Sequence, residues 1–228
     1  GGIVNETLLK LLKLNVRLPD SFEGDLNAQL AACEIGRRRI SDLESRYSVK
    51  VLKNIFSDLL NRSELMTRKA IRDLPDGKHS YFDFLDNDGI DLDTPIKIEV
   101  SVLVEDDSVH IDFQGTSGQV RGPFNLMPSG AYAAAYFAVH AMTDPDIPTN
   151  GGCFRPITLS LPPKSIINPE EPAPVNARTS TMKRVAGCIT SALGQFVPDR
   201  APADSAGEML LLALEVKGLM EVAMSLGN

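Results

Sequence analysis

No run of about 18 uncharged apolar residues occurs in the sequence, so no segment is suited to cross a membrane as a helix. Positive charge is in deficit: 23 Lys and Arg stand against 30 Asp and Glu, a net charge of −7, with a pI near 5.0. A general nucleic-acid binder needs a basic face to neutralise phosphates, and this balance argues against one. Cysteine is scarce. Cys33, Cys153 and Cys188 are odd in number and far apart, with neither a Cys-x-x-Cys pair nor the spacing of a disulfide-rich domain. A reducing compartment, the cytoplasm, is expected. Repeats, low-complexity tracts and a signal-peptide pattern are also missing. The chain begins Gly1-Gly2-Ile3 without methionine, which reads as a piece of a longer or processed polypeptide.

What is there is ordinary for a globular protein: 228 residues, 43% hydrophobic and 23% charged, enough for one large domain or two modest ones. The first 70 or so residues read as helical. After an expected N-cap at Asp20-Ser21, with Glu23 nearby, Leu26, Leu30, Cys33, Ile40, Leu43 and Tyr47 recur at helical spacing, and Arg37 falls on the same stripe. A second stripe beyond Ser48 runs through Val49, Leu52, Phe56, Leu59, Met66 and Ala70, so the pair is expected to form an antiparallel helical hairpin.

From Leu74 the period changes to two. Residues 96–105 and 109–114 alternate, with Asp106-Asp107 as the tight turn between them, and Lys78 to Leu85 is expected to add a third strand. A Gly- and Pro-rich loop from Gly115 to Pro128 precedes an alanine-rich helix over 129–142, which Asp144-Pro145-Asp146 ends. A strand from Phe154 to Leu161, a proline-dense connector and a helix from about Thr181 follow, and 209–228 reads as one further, unassigned helix. The fold class is α+β, with a helical region over 1–72 and an α+β region over 73–208.

Several motifs carry chemistry. In the acidic run Asp86-Asn87-Asp88-Gly89-Ile90-Asp91, taking Gly89 as the glycine of a calcium loop puts Phe84 and Pro95 at ligand positions, so a turn between strands is the better reading. His79, His110 and His140 are isolated: His110 falls on a polar strand face, and His140 is expected to pack. No metal site is expected from this chain alone. Cys153, in a glycine-flanked turn, could expose a thiol but has no base beside it; Cys33 and Cys188 read as core residues. The densest candidate is Gly115-Thr116-Ser117-Gly118-Gln119-Val120-Arg121-Gly122-Pro123-Phe124-Asn125. It brings hydroxyls, amides, exposed backbone N–H groups and a guanidinium together, a set that suits a carboxylate or phosphate or serves as a structural loop. Residues 176–181 precede a helix, so their hydroxyls either cap it or leave its N-terminus to an anion.

Taken in order, these segments resemble the hydantoinase B/5-oxoprolinase family. The blocks are 24–32, Gly36-Arg37-Arg38-Arg39, Pro75-Asp76-Gly77, 86–89, 109–117, Gly122-Pro123-Phe124-Asn125, 144–148, Asn150-Gly151, Arg155-Pro156-Ile157, Asn168-Pro169, 172–175 and Ala177-Arg178. The resemblance implies part of the B component of an ATP-dependent cyclic-amide hydrolase in a multisubunit complex. There an A-type ATPase partner phosphorylates the amide oxygen; ketone carboxylase components and a non-catalytic assembly piece are the alternatives. It also implies a divalent metal held by His and Asp residues in a portion upstream of Gly1, ATP held by the partner, a homo- or hetero-oligomer, and little catalysis from this segment by itself. Carried over residue by residue, the substrate-binding set is Thr116, Ser117, Arg121, Asn125, Asn150, Arg155 and Arg178, with Arg121 and Asn125 foremost; no catalytic residue is named. An apolar tail that includes Leu210, Leu212 and Leu219 would suit an interface.

Overall fold

The computed structural model describes residues 3–203 and 205, together with the backbone of 209–216 and 219–226. The chain divides into two compact units, residues 1–58 and 59–228, and the division falls inside α3, the helix Val49–Arg72.

The first unit is helical. Helix α1 spans Glu6–Leu14, and Asn5 caps it by accepting the Leu8 N–H at 3.0 Å. Helix α2 spans Pro19–Arg46. Its N-cap is Leu18 with no side-chain hydrogen bond, in place of the expected Asp20-Ser21 cap. Pro19 at the first position fixes φ and removes one donor that would otherwise go unanswered. Ser48 receives the Val51 N–H at 3.3 Å at the start of α3. Glu34 forks to Arg37 and Arg38 at 2.7 and 2.9 Å, and those two guanidiniums, Arg37 first, hold its carboxyl down to about 2. The apolar stripe of α2 does not form the expected hairpin core: none of its residues is buried, and Cys33, expected inside, is exposed.

The second unit holds the core. Strands β1 (Gly77–Leu85), β2 (Ile96–Glu105) and β3 (Ser108–Asp112) form an antiparallel meander, and β4 (Ile157–Ser160) joins beside β3 in parallel, so the sheet is mixed. The expected strand over 154–161 contracts to these four residues because 151–156 turn instead. Asp106, with φ of 50°, and Asp107 make the β2–β3 turn. Arg68 of α3 holds Asp107 at 2.7 Å and Glu64 at 2.8 Å.

Alternation sorts the sheet into two faces. Ile96, Ile98, Val100, Val102 and Val104 of β2 and Val109 and Ile111 of β3 are buried; the residues between them face outward. Helix α5 (Arg178–Gly194) lies on β1 and β2, and α4 (Pro128–Met142) packs on α5. Ala131, Ala134, Ala135 and Ala138 make the buried face of α4, and side chains this small allow close helix approach. Val185, Ile189 and Leu193 of α5 complete the core, each contributing about 1.5–3 kcal/mol of burial. The fold class is thus α+β, helices first.

The helix expected over 209–228 is not formed. The backbone there runs as β5 (Met209–Val216) and β6 (Leu219–Leu226), paired antiparallel. The side chains of the apolar tail lie outside the described residues.

Candidate functional site

The glycine-rich loop begins where β3 ends. Gly115 has φ of 100°, and a Cβ there would lie 2.3 Å from a Glu99 carboxylate oxygen, so only glycine fits without displacing Glu99. Beyond β3 the open side of β2 is answered by the loop. Thr116 Oγ1 accepts the Glu99 N–H at 3.0 Å and donates to the Glu99 carbonyl at 2.9 Å. Ser117 Oγ accepts the Lys97 N–H at 2.9 Å while its own N–H donates to the Lys97 carbonyl at 2.9 Å. Both hydroxyls offered for substrate therefore continue the ladder of the sheet.

The second half of the loop is held by two buried polar side chains. Asp88 takes the Ile90 and Asp91 N–H groups on Oδ1, at 2.8 and 2.7 Å, and the Gly122 N–H on Oδ2 at 2.9 Å. These amides, Asp91 and Ile90 ahead of Gly122 and Arg121, hold its carboxyl below the ordinary range. The approach is so close that a Cβ on Gly122 would stand 1.7 Å from the Asp88 carbonyl oxygen. Asn125 is fully buried. Its Oδ1 accepts the Val120 N–H at 2.9 Å, and its Nδ2 donates to the carbonyls of Val120 (2.8 Å), Gly122 (3.3 Å) and Pro174 (3.0 Å). The amide is consumed within the protein.

The bond to Pro174 ties the loop to the start of α5. Ala177 donates its N–H to the Pro123 carbonyl at 2.8 Å, and Thr181 donates its hydroxyl to the Phe124 carbonyl. Helix α5 has no side-chain N-cap, so the hydroxyls of 179–181 do not cap it. Arg121 and Arg178 thereby come to one corner, two residues before Pro123 and one after Ala177. Both are exposed. Arg178 makes a single long bond to the Val175 carbonyl at 3.3 Å, and no side-chain hydrogen bond or ion pair of Arg121 is found among the described residues.

Asn150 and Arg155 go elsewhere. Asn150 donates to Ser63 Oγ at 2.7 Å and accepts the Gly152 N–H at 2.8 Å. Arg155 reaches Asn61 at 3.0 Å and Glu64 at 2.8 Å, and with Arg68 it lowers the Glu64 carboxyl below its usual range. These contacts fasten the 150–155 turn to α3, where Gly152 lies so close that a Cβ would stand 1.9 Å from the Leu60 carbonyl. The Cys153 thiol, which the glycine-flanked turn could have exposed, is buried and donates to the Asn150 carbonyl at 2.9 Å. Cys188 is buried as expected. His110 sits between Thr158 (2.9 Å) and Ser160 (3.1 Å) on the outer sheet face. His140 packs against Phe154 at 5.8 Å between ring centres, and burial pushes its imidazole below the ordinary value. The seven candidates therefore separate: Thr116, Ser117 and Asn125 build the loop, Asn150 and Arg155 dock a turn, and Arg121 and Arg178 share an open corner. Asp88 was legible only as a turn residue; its bond to Gly122 spans 34 positions and has no local signal.

Among the described residues no three His, Cys, Asp or Glu side chains converge as metal ligands, and no helix is long and apolar enough to cross a membrane. A family profile described as Hydantoinase B/oxoprolinase matches residues 1–223. The chain is 34% identical to the B component of a putative D-/L-hydantoinase of Pseudomonas sp. (strain NS671), over 89% of this chain and 36% of that protein. The crystal structure of an ATP-dependent caprolactamase from Pseudomonas jessenii superposes with a TM-score of 0.81 at 30% identity, covering 87% of this chain and 34% of that one. A nucleotide-free acetone carboxylase shares the fold, with a TM-score of 0.78 at 14% identity over 92% of this chain and 30% of that one. The chain thus spans about a third of the length of the relatives it matches.

Proposed function

The chain belongs to the hydantoinase B/oxoprolinase family, and from that premise we propose that it forms part of the B component of a cytoplasmic, ATP-dependent cyclic-amide hydrolase. Its substrate is a small ring whose amide oxygen has been phosphorylated by an A-type ATPase partner. An unstrained amide is a poor electrophile because nitrogen shares its lone pair with the carbonyl. O-phosphorylation removes that resonance, so water can add to the ring carbon once the phosphorylated species is held still. The ring C–N bond then breaks with nitrogen leaving as the protonated amine, and a second water releases phosphate from the acyl phosphate that remains.

The observation that carries this reading is the corner formed by Arg121 and Arg178. Both guanidiniums are exposed and outside any ion pair among the described residues, while the backbone beneath them is fixed by Asp88, Asn125 and the Ala177 bond to Pro123. A guanidinium on a rigid mount suits the bidentate binding of phosphate or carboxylate. Among the described residues no three His, Cys, Asp or Glu side chains converge as ligands for a metal. The role assigned to this chain is to bind and orient the activated substrate.

The test is ring opening by the complete complex with ATP, on 5-oxoproline, hydantoin and caprolactam. Arg121→Ala and Arg178→Ala should each lower kcat/KM by about 10- to 150-fold, the worth of one charge-assisted hydrogen bond, with melting temperature unchanged. Unchanged turnover in both variants refutes the corner. A stable complex with no turnover on any ring would make the chain an assembly piece.

A further inference from the structure

A cavity of about 360 Å³ has neither Arg121 nor Arg178 in its lining. Its walls come from the last turns of α3, the residues just after α4, and the 3-10 turn at Pro198–Arg200. Met66 and Ala70 give it an apolar floor, and Lys69, Asp73, Asp144 and Arg200 supply two positive and two negative charges. Among the described residues none of these four enters an ion pair, although Lys69 and Asp73 are four positions apart. Among the described residues the Arg200 side chain makes one long bond to the Thr143 carbonyl at 3.4 Å, and the Asp144 carboxylate accepts one hydrogen bond, from the Asp146 N–H at 3.0 Å.

From this arrangement we propose that the cavity binds a small zwitterion, an amino acid with its ammonium and carboxylate on one flexible chain. A lining that sums to zero attracts neither a lone cation nor a lone anion strongly, but charges of both signs left outside ion pairs around one cavity complement a molecule that is itself dipolar. The ammonium belongs with Asp73 and Asp144. Helix α3 ends at Arg72 and α4 at Met142, beside Asp73 and Asp144, and two helix C-termini add partial negative charge at the cavity. The carboxylate belongs with Lys69 and Arg200, and the methylenes between lie over Met66 and Ala70. The volume falls within the range of small-ligand pockets. This proposal rests on the cavity alone and not on the arginine corner, although a hydrolysed lactam is one member of the ligand class.

Calorimetric titration of the full chain with 6-aminohexanoate and 4-aminobutanoate tests it, with hexylamine and hexanoate as single-charge controls. Binding of the zwitterions is expected, with each control at least about 10-fold weaker, since each omits one charged contact. Lys69→Ala with Arg200→Ala should bring the zwitterion to the level of hexylamine, and Asp73→Asn with Asp144→Asn to that of hexanoate. Three results overturn the proposal: no heat at tens of millimolar, controls that bind as well as the zwitterion, or folded variants that bind unchanged. Should a variant fail to fold by circular dichroism, the comparison of zwitterion with controls on the parent chain decides. Ring opening by the complex can persist while this binding fails, so the two readings are separable.

Discussion

Replacing Asn125 by Ala and by Asp distinguishes a side chain that builds the loop from one that meets substrate. The amide is fully buried and makes four hydrogen bonds inside the protein, to three residues on two separate stretches of chain. Asn125→Ala orphans the Val120 N–H and removes a donor from three carbonyls, which keep a second lone pair for other partners. Counting one stranded amide and one stranded carbonyl at about 1–2 kcal/mol each gives a loss of ~3 kcal/mol. For a domain of this size that lowers the melting temperature by about 6–12 °C. Asn125→Asp has nearly the same shape and still accepts from Val120, but it turns a carboxylate oxygen toward carbonyls 2.8, 3.0 and 3.3 Å away. At neutral pH it should be no more stable than the alanine variant. Such a carboxyl has its folded pKa raised above its unfolded value, so its penalty is full above the folded pKa and shrinks as pH falls through it. Melts followed by circular dichroism at pH 7 and about pH 4.5 read both effects. An alanine variant within about 2 °C of the parent, or an aspartate deficit that does not narrow in acid, refutes the assignment.

Two further perturbations probe the same region. Gly122→Ala places a methyl 1.7 Å from the Asp88 carbonyl, so backbone must move. A loss of ~3 kcal/mol or more in urea unfolding is expected, and a change below about 0.5 kcal/mol contradicts the contact. Asp88 has a depressed folded pKa, so the stability it contributes is complete above its unfolded value of 3.8 and disappears as pH falls through the folded one. Asp88→Asn should flatten that acid limb of the melting profile; an unchanged slope below pH 3.8 counts against the backbone cradle.

How much could be read beforehand depended on how local each determinant is. The alternation over 96–105 and 109–114 identified β2 and β3, the latter ending at Asp112, since a half-buried strand must put every second residue inside. The short run of Ala in 131–138 marked α4 in the same way. Residues 209–216, Met-Leu-Leu-Leu-Ala-Leu-Glu-Val, carry almost no polar interruptions, and a continuous apolar run fits a strand as readily as a helix. The stripe on α2 has helical period, which marks a face without saying what covers it, and the α3 stripe expected to cover it leaves no α2 residue buried. At the site, glycine density pointed to the loop, while the direction each side chain takes was set from afar. Asn125 turns inward because Pro174 is there to receive it, 49 positions on, and Arg155 leaves the site for Glu64, 91 positions back. Arg121 stays outside because Asp88 claims the backbone next to it.

A strand whose amides and carbonyls are already answered by neighbouring hydroxyls has nothing to offer a foreign chain. Along Lys97 and Glu99, where β3 has departed, Thr116 and Ser117 occupy those groups. Templated growth of the sheet is blocked there by two hydroxyls and the Ser117 N–H, without a covering helix. The segment that arrests such growth is also the one that carries Arg121 five residues later, so resistance to aggregation and the presentation of the site are set by the same dozen residues and will change together under mutation.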